Sequence, residues 1–144
     1  MQNIIRTLCA GLALTTALAI APAYSDMLKF KVMLSGAQEV PPTTSKGMGS
    51  IDITYDSATK TLSWTGSYMD LTGPATMAHF HGPADVGKNA PVEIPLKAIT
   101  SPLDGSVVLT DAQAADLMAG KLYFNIHTEA NKGGEVRGQV LPEK

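Results

Sequence analysis

From Met27 onward the chain alternates apolar and polar residues with period two in short runs, each closed by Gly, Pro, Asp or Asn. An extended strand sends successive side chains to opposite faces, so these runs read as half-buried strands, and their turn-rich borders leave little room for helix. The expected strands are residues 28–34, 49–55, 61–69, 76–81, 92–96, 106–109, 121–128 and 135–141. So many short strands predict an all-β, antiparallel fold of the sandwich or barrel type.

Local signals refine this reading. Asp56-Ser57-Ala58-Thr59-Lys60 supplies turn formers between two alternating runs and predicts a hairpin. Trp64, on the second of those runs, is the expected core anchor. One short helix is legible: Thr110 and Gln113 form a capping box, Asp111 suits the positive end of the helix dipole, and Gly120 closes the segment. Met33, Met69 and Met118 stand among apolar neighbours and are read as packing residues, although the methionines after Met1 also suit copper.

Residues 1–25 are set apart. Arg6 is followed by a charge-free apolar run from Leu8 to Pro22, shorter than the roughly 20 residues of a spanning helix, and small residues then offer cleavage before Asp26 or before Tyr24. The expectation is a signal peptide over 1–25, a single domain over 26–144, and a periplasmic or secreted product with no membrane span after cleavage. Cys9 is the one cysteine and lies inside that leader, so the domain has no thiol for catalysis, disulfide or thiolate ligation. With 44% hydrophobic and 17% charged residues the chain fits one compact core. Its net charge of −2 and scattered Lys and Arg exclude a nucleic-acid partner.

The three histidines are the most informative residues. In Met77-Ala78-His79-Phe80-His81 an extended backbone puts His79 and His81 on one face, roughly 6.6 Å apart. In the later run Leu122, Phe124 and Ile126 make one face while Tyr123, Asn125 and His127 make the other. Three imidazoles from two strands can converge on one metal ion, with zinc and copper the natural choices. The fourth position falls to Met77, which would favour Cu(I), or to Asp85 or Glu129, which would favour zinc or Cu(II). Glu135 and Arg137, two apart on one strand face, read either as a surface pair or as groups supporting the metal ligands. Gly133-Gly134 reads as a turn, Gly82-Pro83 as the end of the His-x-His strand, and Val40-Pro41-Pro42 as a strand terminator.

Four ordered landmarks resemble the CHRD domain, the module of chordin-type repeats that also stands alone in bacterial secreted proteins. They are Leu34-Ser35-Gly36-Ala37-Gln38-Glu39-Val40-Pro41-Pro42, Ala78-His79-Phe80-His81-Gly82-Pro83-Ala84, Leu122-Tyr123-Phe124-Asn125-Ile126-His127-Thr128 and Gly133-Gly134-Glu135-Val136-Arg137-Gly138-Gln139. The resemblance spans about residues 28–141 and implies a β-sandwich without supplying an enzyme activity. More distantly, the order His79, His81, His127, Arg137 is similar to the copper half of copper/zinc superoxide dismutase, an immunoglobulin-like sandwich in which an arginine near the last strand guides the anion. Together the two resemblances imply an antiparallel Greek-key sandwich with one short helix. A dinuclear dismutase is excluded by counting, because no histidine remains for a bridging ligand or a zinc subsite and no disulfide can form.

Three functions stay open on these residues. The leading one is an exported copper protein, with zinc as the alternative metal, whose three-histidine mononuclear site serves metal binding or homeostasis and passes metal to a protein partner. The second is a metal-free extracellular interaction or adhesion module. The third is a mononuclear copper redox enzyme with dismutase-like activity; no residue is assigned a catalytic role.

Overall fold

A computed structural model describes residues 26–143; the expected signal peptide lies outside them. The elements are β1 (Met27–Ser35), β2 (Met48–Asp56), β3 (Thr61–Met69), β4 (Ala75–His81), β5 (Val92–Pro95), β6 (Leu103–Val108), α1 (Asp111–Met118), β7 (Tyr123–Thr128) and β8 (Val136–Gln139), with a 3-10 turn at Gly36–Gln38. The fold is all-β with one short helix, as the alternation predicts. Among the described residues no helix is long and apolar enough to cross a membrane.

The strands pair in the order β5-β4-β7-β8-β1-β2-β3-β6, and every ladder is antiparallel. Two four-stranded halves meet at a short β1–β8 ladder, Ser35 opposite Arg137. The sandwich is therefore one continuous curled sheet whose halves close on a common core. Phe30, Val32 and Leu34 of β1, Ile51 and Ile53 of β2, and Leu62 and Trp64 of β3 face Ala78 and Phe80 of β4 and Phe124 and Ile126 of β7. Trp64 meets Phe80 edge-on across the halves at 5.3 Å between ring centroids, and Phe80 meets Phe124 at 5.0 Å. Burying a side chain of this size stabilises the fold by about 1.5–3 kcal/mol.

The hairpin and the helix follow their sequence signals. Asp56 Oδ1 accepts from the backbone N–H of Ala58 at 2.9 Å, and Lys60 takes the left-handed conformation at φ 55° to turn into β3. Thr110 Oγ1 accepts from Gln113 N at 3.2 Å while Thr110 N donates to Gln113 Oε1 at 3.0 Å, the reciprocal pair of a capping box. Gly120, at φ 67°, lies just beyond the helix. Two expectations differ. β1 ends at Ser35, before the 3-10 turn, so Val40-Pro41-Pro42 lies in the following loop and terminates nothing. Met33, Met69 and Met118 are not in the core: all three are exposed, as are Met27, Met48 and Met77.

Period-two alternation gives the sheet a second, outward face. One register row on it runs from Met69 and Met48 through Ser35, Arg137 and Asn125 to His79. On the β4–β7–β8 side this face is roofed by the loops at 36–47, 83–91 and 129–135; on the β1–β2–β3 side the methionines lie open.

Candidate metal centre

Ladder register assembles the histidines. In the β4–β7 pairing His79 lies opposite Asn125, His81 opposite Tyr123 and Met77 opposite His127, so all six side chains share the outward face. Donor nitrogens of His79, His81 and His127 lie within 4.8 Å of one another. The ring centroids are 5.4 Å apart for His79–His81, 5.0 Å for His79–His127 and 6.1 Å for His81–His127.

A surrounding carbonyl fixes the tautomer of His81, and another orients the ring of His127. His81 Nδ1 donates to Ala90 O at 3.0 Å, which leaves Nε2 with its lone pair, buried and without a hydrogen-bond partner. His127 Nδ1 lies 2.9 Å from Lys132 O, an acceptor that orients the ring so that its Nε2 faces His79 Nδ1 at 3.2 Å. A backbone carbonyl on the remote nitrogen is how metal-binding histidines are commonly oriented. His81 and His127 are 8% and 5% exposed, and His79 is half-buried at the mouth. Burial, reinforced by the His127 and His81 imidazoles, holds His79 below the usual histidine range; burial also lowers His81, against the raising effect of the Ala90 hydrogen bond. Both effects favour the neutral, ligating form. A buried, unpartnered lone pair beside two more imidazole nitrogens is a donor set that fits copper or zinc.

The expected fourth ligands are placed as follows. Met77 shares the face and is 45% exposed. Asp85 forms an ion pair with Lys121, and Glu129 pairs with Lys132 at 2.8 Å, so both carboxylates are engaged with surface lysines. Neither joins the cluster of donors formed by the histidines.

Arg137 and Glu135 are not a surface pair. Arg137 is 2% exposed, and its guanidinium lies 3.4 Å over the Tyr123 ring, which in turn stacks on His81 at 4.7 Å with the planes 1° from parallel. Its Nη1 donates to Asn89 Oδ1 at 3.1 Å and its Nη2 to Lys88 O at 2.7 Å, so it clamps the loop that carries Ala90. Glu135 is fully buried one residue before β8 and accepts from Ser45 Oγ at 2.6 Å, Thr72 N and Oγ1 at 2.7 Å each, Thr128 Oγ1 at 2.5 Å and Asn131 Nδ2 at 3.1 Å. Through Thr128 and Asn131 it fixes the turn whose Lys132 carbonyl orients His127.

Two residues escaped the sequence reading. Asn125, 2% exposed, places Oδ1 3.0 Å from His127 Nε2, and its amide nitrogen and Glu39 Oε1 both border Gly134. Glu39 is buried, which raises its carboxyl to about 7 against the lowering effects of Arg137 and Asn125. Gly134 makes room for both side chains: at φ 125°, a Cβ there would lie 2.3 Å from Glu39 Oε1 and 2.6 Å from Asn125 Nδ2. Asn125 was legible from its alternation with Tyr123 and His127. Glu39 lies in a loop, where no periodicity points to a destination.

A family model described as the CHRD domain matches residues 30–140. No match was found among the curated proteins or the solved structures.

Proposed function

The chain belongs to the CHRD domain family, and from that premise we propose that it is an exported protein binding one copper ion through His79, His81 and His127, for metal binding or homeostasis rather than turnover. The observation that carries this reading is the buried, unpartnered Nε2 of His81, tautomerically fixed by Ala90 and grouped with donors from His79 and His127. The ion would supply positive charge and open coordination there. The chain's own part is to hold three imidazoles in register and to orient two of them by carbonyls.

Residues 1–25 act in this reading as the signal peptide that takes the domain, residues 26–144, to the periplasm or beyond. A holding role rather than a redox one is favoured by Arg137, which lies sealed under the 83–91 loop with its guanidinium engaged and so offers no landing point to an anion. The copper would pass to a protein partner through the mouth beside half-buried His79.

Titration of the purified protein with Cu(I), Cu(II) and Zn(II) against competing chelators tests this, beside a variant carrying His79→Ala, His81→Ala and His127→Ala. One equivalent that weakens at least about 100-fold in the variant is expected, with copper preferred over zinc. Equal, weak binding by both proteins would remove the metal and leave the interaction module.

A further inference from the structure

The six described methionines are all exposed, and three of them share one place. Met33, Met48 and Met69 are 60%, 52% and 57% exposed and line one shallow depression of about 220 Å³ on the open half of the outward face. Register accounts for the grouping. Met48 and Met69 are direct cross-strand partners, with Cβ atoms roughly 4.5–5.5 Å apart, and Met33, opposite Ser50, is the diagonal neighbour of Met48 at roughly 7–8 Å. Met33 and Met69 lie two strand spacings apart, roughly 10 Å or more, with Met48 between them, and flexible three-bond stems let both thioethers reach toward it. The residues between them, Ser50 and Ser67, are short, so the methionine stems stand above a low floor.

Exposed aliphatic packing does not account for this patch. Lys31 precedes Met33 on the same face of β1, and Thr65 and Ser67 precede Met69 on β3; those neighbours are the polar residues a solvated face calls for. Three methionines at the end of that face are the residues out of place, and what they share beyond hydrophobicity is a soft, neutral sulfur donor.

We infer that Met33, Met48 and Met69 form a second metal site, selective for a soft monovalent ion, Cu(I) or its analogue Ag(I). Thioethers select Cu(I) and have little affinity for Zn(II) or other hard divalent ions. They also carry no proton to lose, so this site holds its ion in acid, where imidazoles become protonated and release theirs. Along the sheet Met48 is separated from Asn125, the neighbour of His127, by three strand spacings, roughly 14 Å. The inference stands on the methionine geometry alone and does not depend on the histidine centre.

The test is a titration of the purified protein with Ag(I), then with Cu(I) under reductant, followed by NMR of the methionine ε-methyl groups at pH 7 and pH 4.5. The comparison is a Met33→Leu, Met48→Leu, Met69→Leu variant, which keeps size and apolar character at exposed positions and is checked for folding by circular dichroism. The methyl signals of Met33, Met48 and Met69 are expected to shift together at both pH values, with an end point at one equivalent at pH 4.5, where the imidazoles no longer compete, while Met27 and Met118 stay in place. The leucine variant is expected to lose one equivalent of Ag(I) and to keep its Zn(II) uptake. Equal Ag(I) uptake by the two proteins, or methyl shifts no larger than those of Met27 and Met118, would overturn the inference. Loss of Zn(II) uptake in the leucine variant would also overturn it, whereas absence of Zn(II) uptake by the wild-type protein would count only against the histidine centre.

Discussion

Glu135 carries a charge in the interior because five donors surround it. Burial alone would raise its pKa, but the hydrogen bonds from Ser45, Thr128 and Thr72 outweigh burial and hold it at about 2. The folded value lies below the unfolded one, so the contribution to stability is present above the ordinary carboxylate range and is lost as pH falls toward 2. In urea unfolding, wild type is expected to exceed Glu135→Gln by on the order of 2 kcal/mol at pH 7, with the gap narrowing steadily between about pH 5 and pH 2. A gap that does not change with pH would mean that the ionised carboxylate is not what ties the loops together. The same residue illustrates how far a local pattern reaches. Spacing placed Glu135 two residues from Arg137, yet its partners come from Ser45, Thr72 and Thr128, and only the folded sheet brings those together. For His79, His81 and His127 the pattern sufficed, because strand parity and register are all that their convergence requires. For the methionines the signal was present but read too coarsely: Lys31 already marks the face of Met33 as the wet one, while Val32 and Leu34 take the core.

Among the elements, the start furthest from its expected place is that of β6, which begins at Leu103 rather than Ser106. Asp104-Gly105 reads locally as a break, but its reason is tertiary. Gly105 lies opposite Trp64 in the β3–β6 ladder, and a Cβ there would come within 2.4 Å of Trp64 Cζ2. The strand continues through the glycine because the indole occupies the space a side chain would need. Helix α1, by contrast, was legible to the cap, since Thr110, Gln113 and Gly120 act within a few residues of one another. Gly105→Ala is therefore expected to cost about 1–3 kcal/mol by overpacking against Trp64. Because Trp64 is the one tryptophan in the chain, its fluorescence reports the same event, with a red shift as the indole is displaced. Unchanged emission together with unchanged stability would show that the β3–β6 edge yields without moving the core.

At the scale of the molecule, one curled sheet presents a roofed half and a bare half of the same outward surface, and the candidate centre lies where the roof is pinned down. Ala90 holds His81, Lys132 orients His127, Arg137 clamps Lys88 and Asn89, and Glu135 ties the turn at Asn131 to Thr72 and Ser45. An ion held by the three imidazoles would thus be coupled to loops 83–91 and 129–135, while β1–β3 would feel it only through the core. A ligand that binds the folded state alone stabilises by about 2.7 kcal/mol at a hundred times its dissociation constant. Zn(II), to which thioethers are nearly indifferent, isolates this contribution. Saturating Zn(II) is expected to raise Tm by on the order of 10 °C, and the His79→Ala, His81→Ala, His127→Ala variant should show no such rise. Hydrogen exchange locates the effect: the amides of the two roofing loops should slow first and most, because their opening detaches the carbonyls that orient His81 and His127. A rise in Tm with protection spread evenly over β1–β3 would mean that zinc binds elsewhere on the surface, and the roofed histidines would then be polar residues of a sheet closed by its loops.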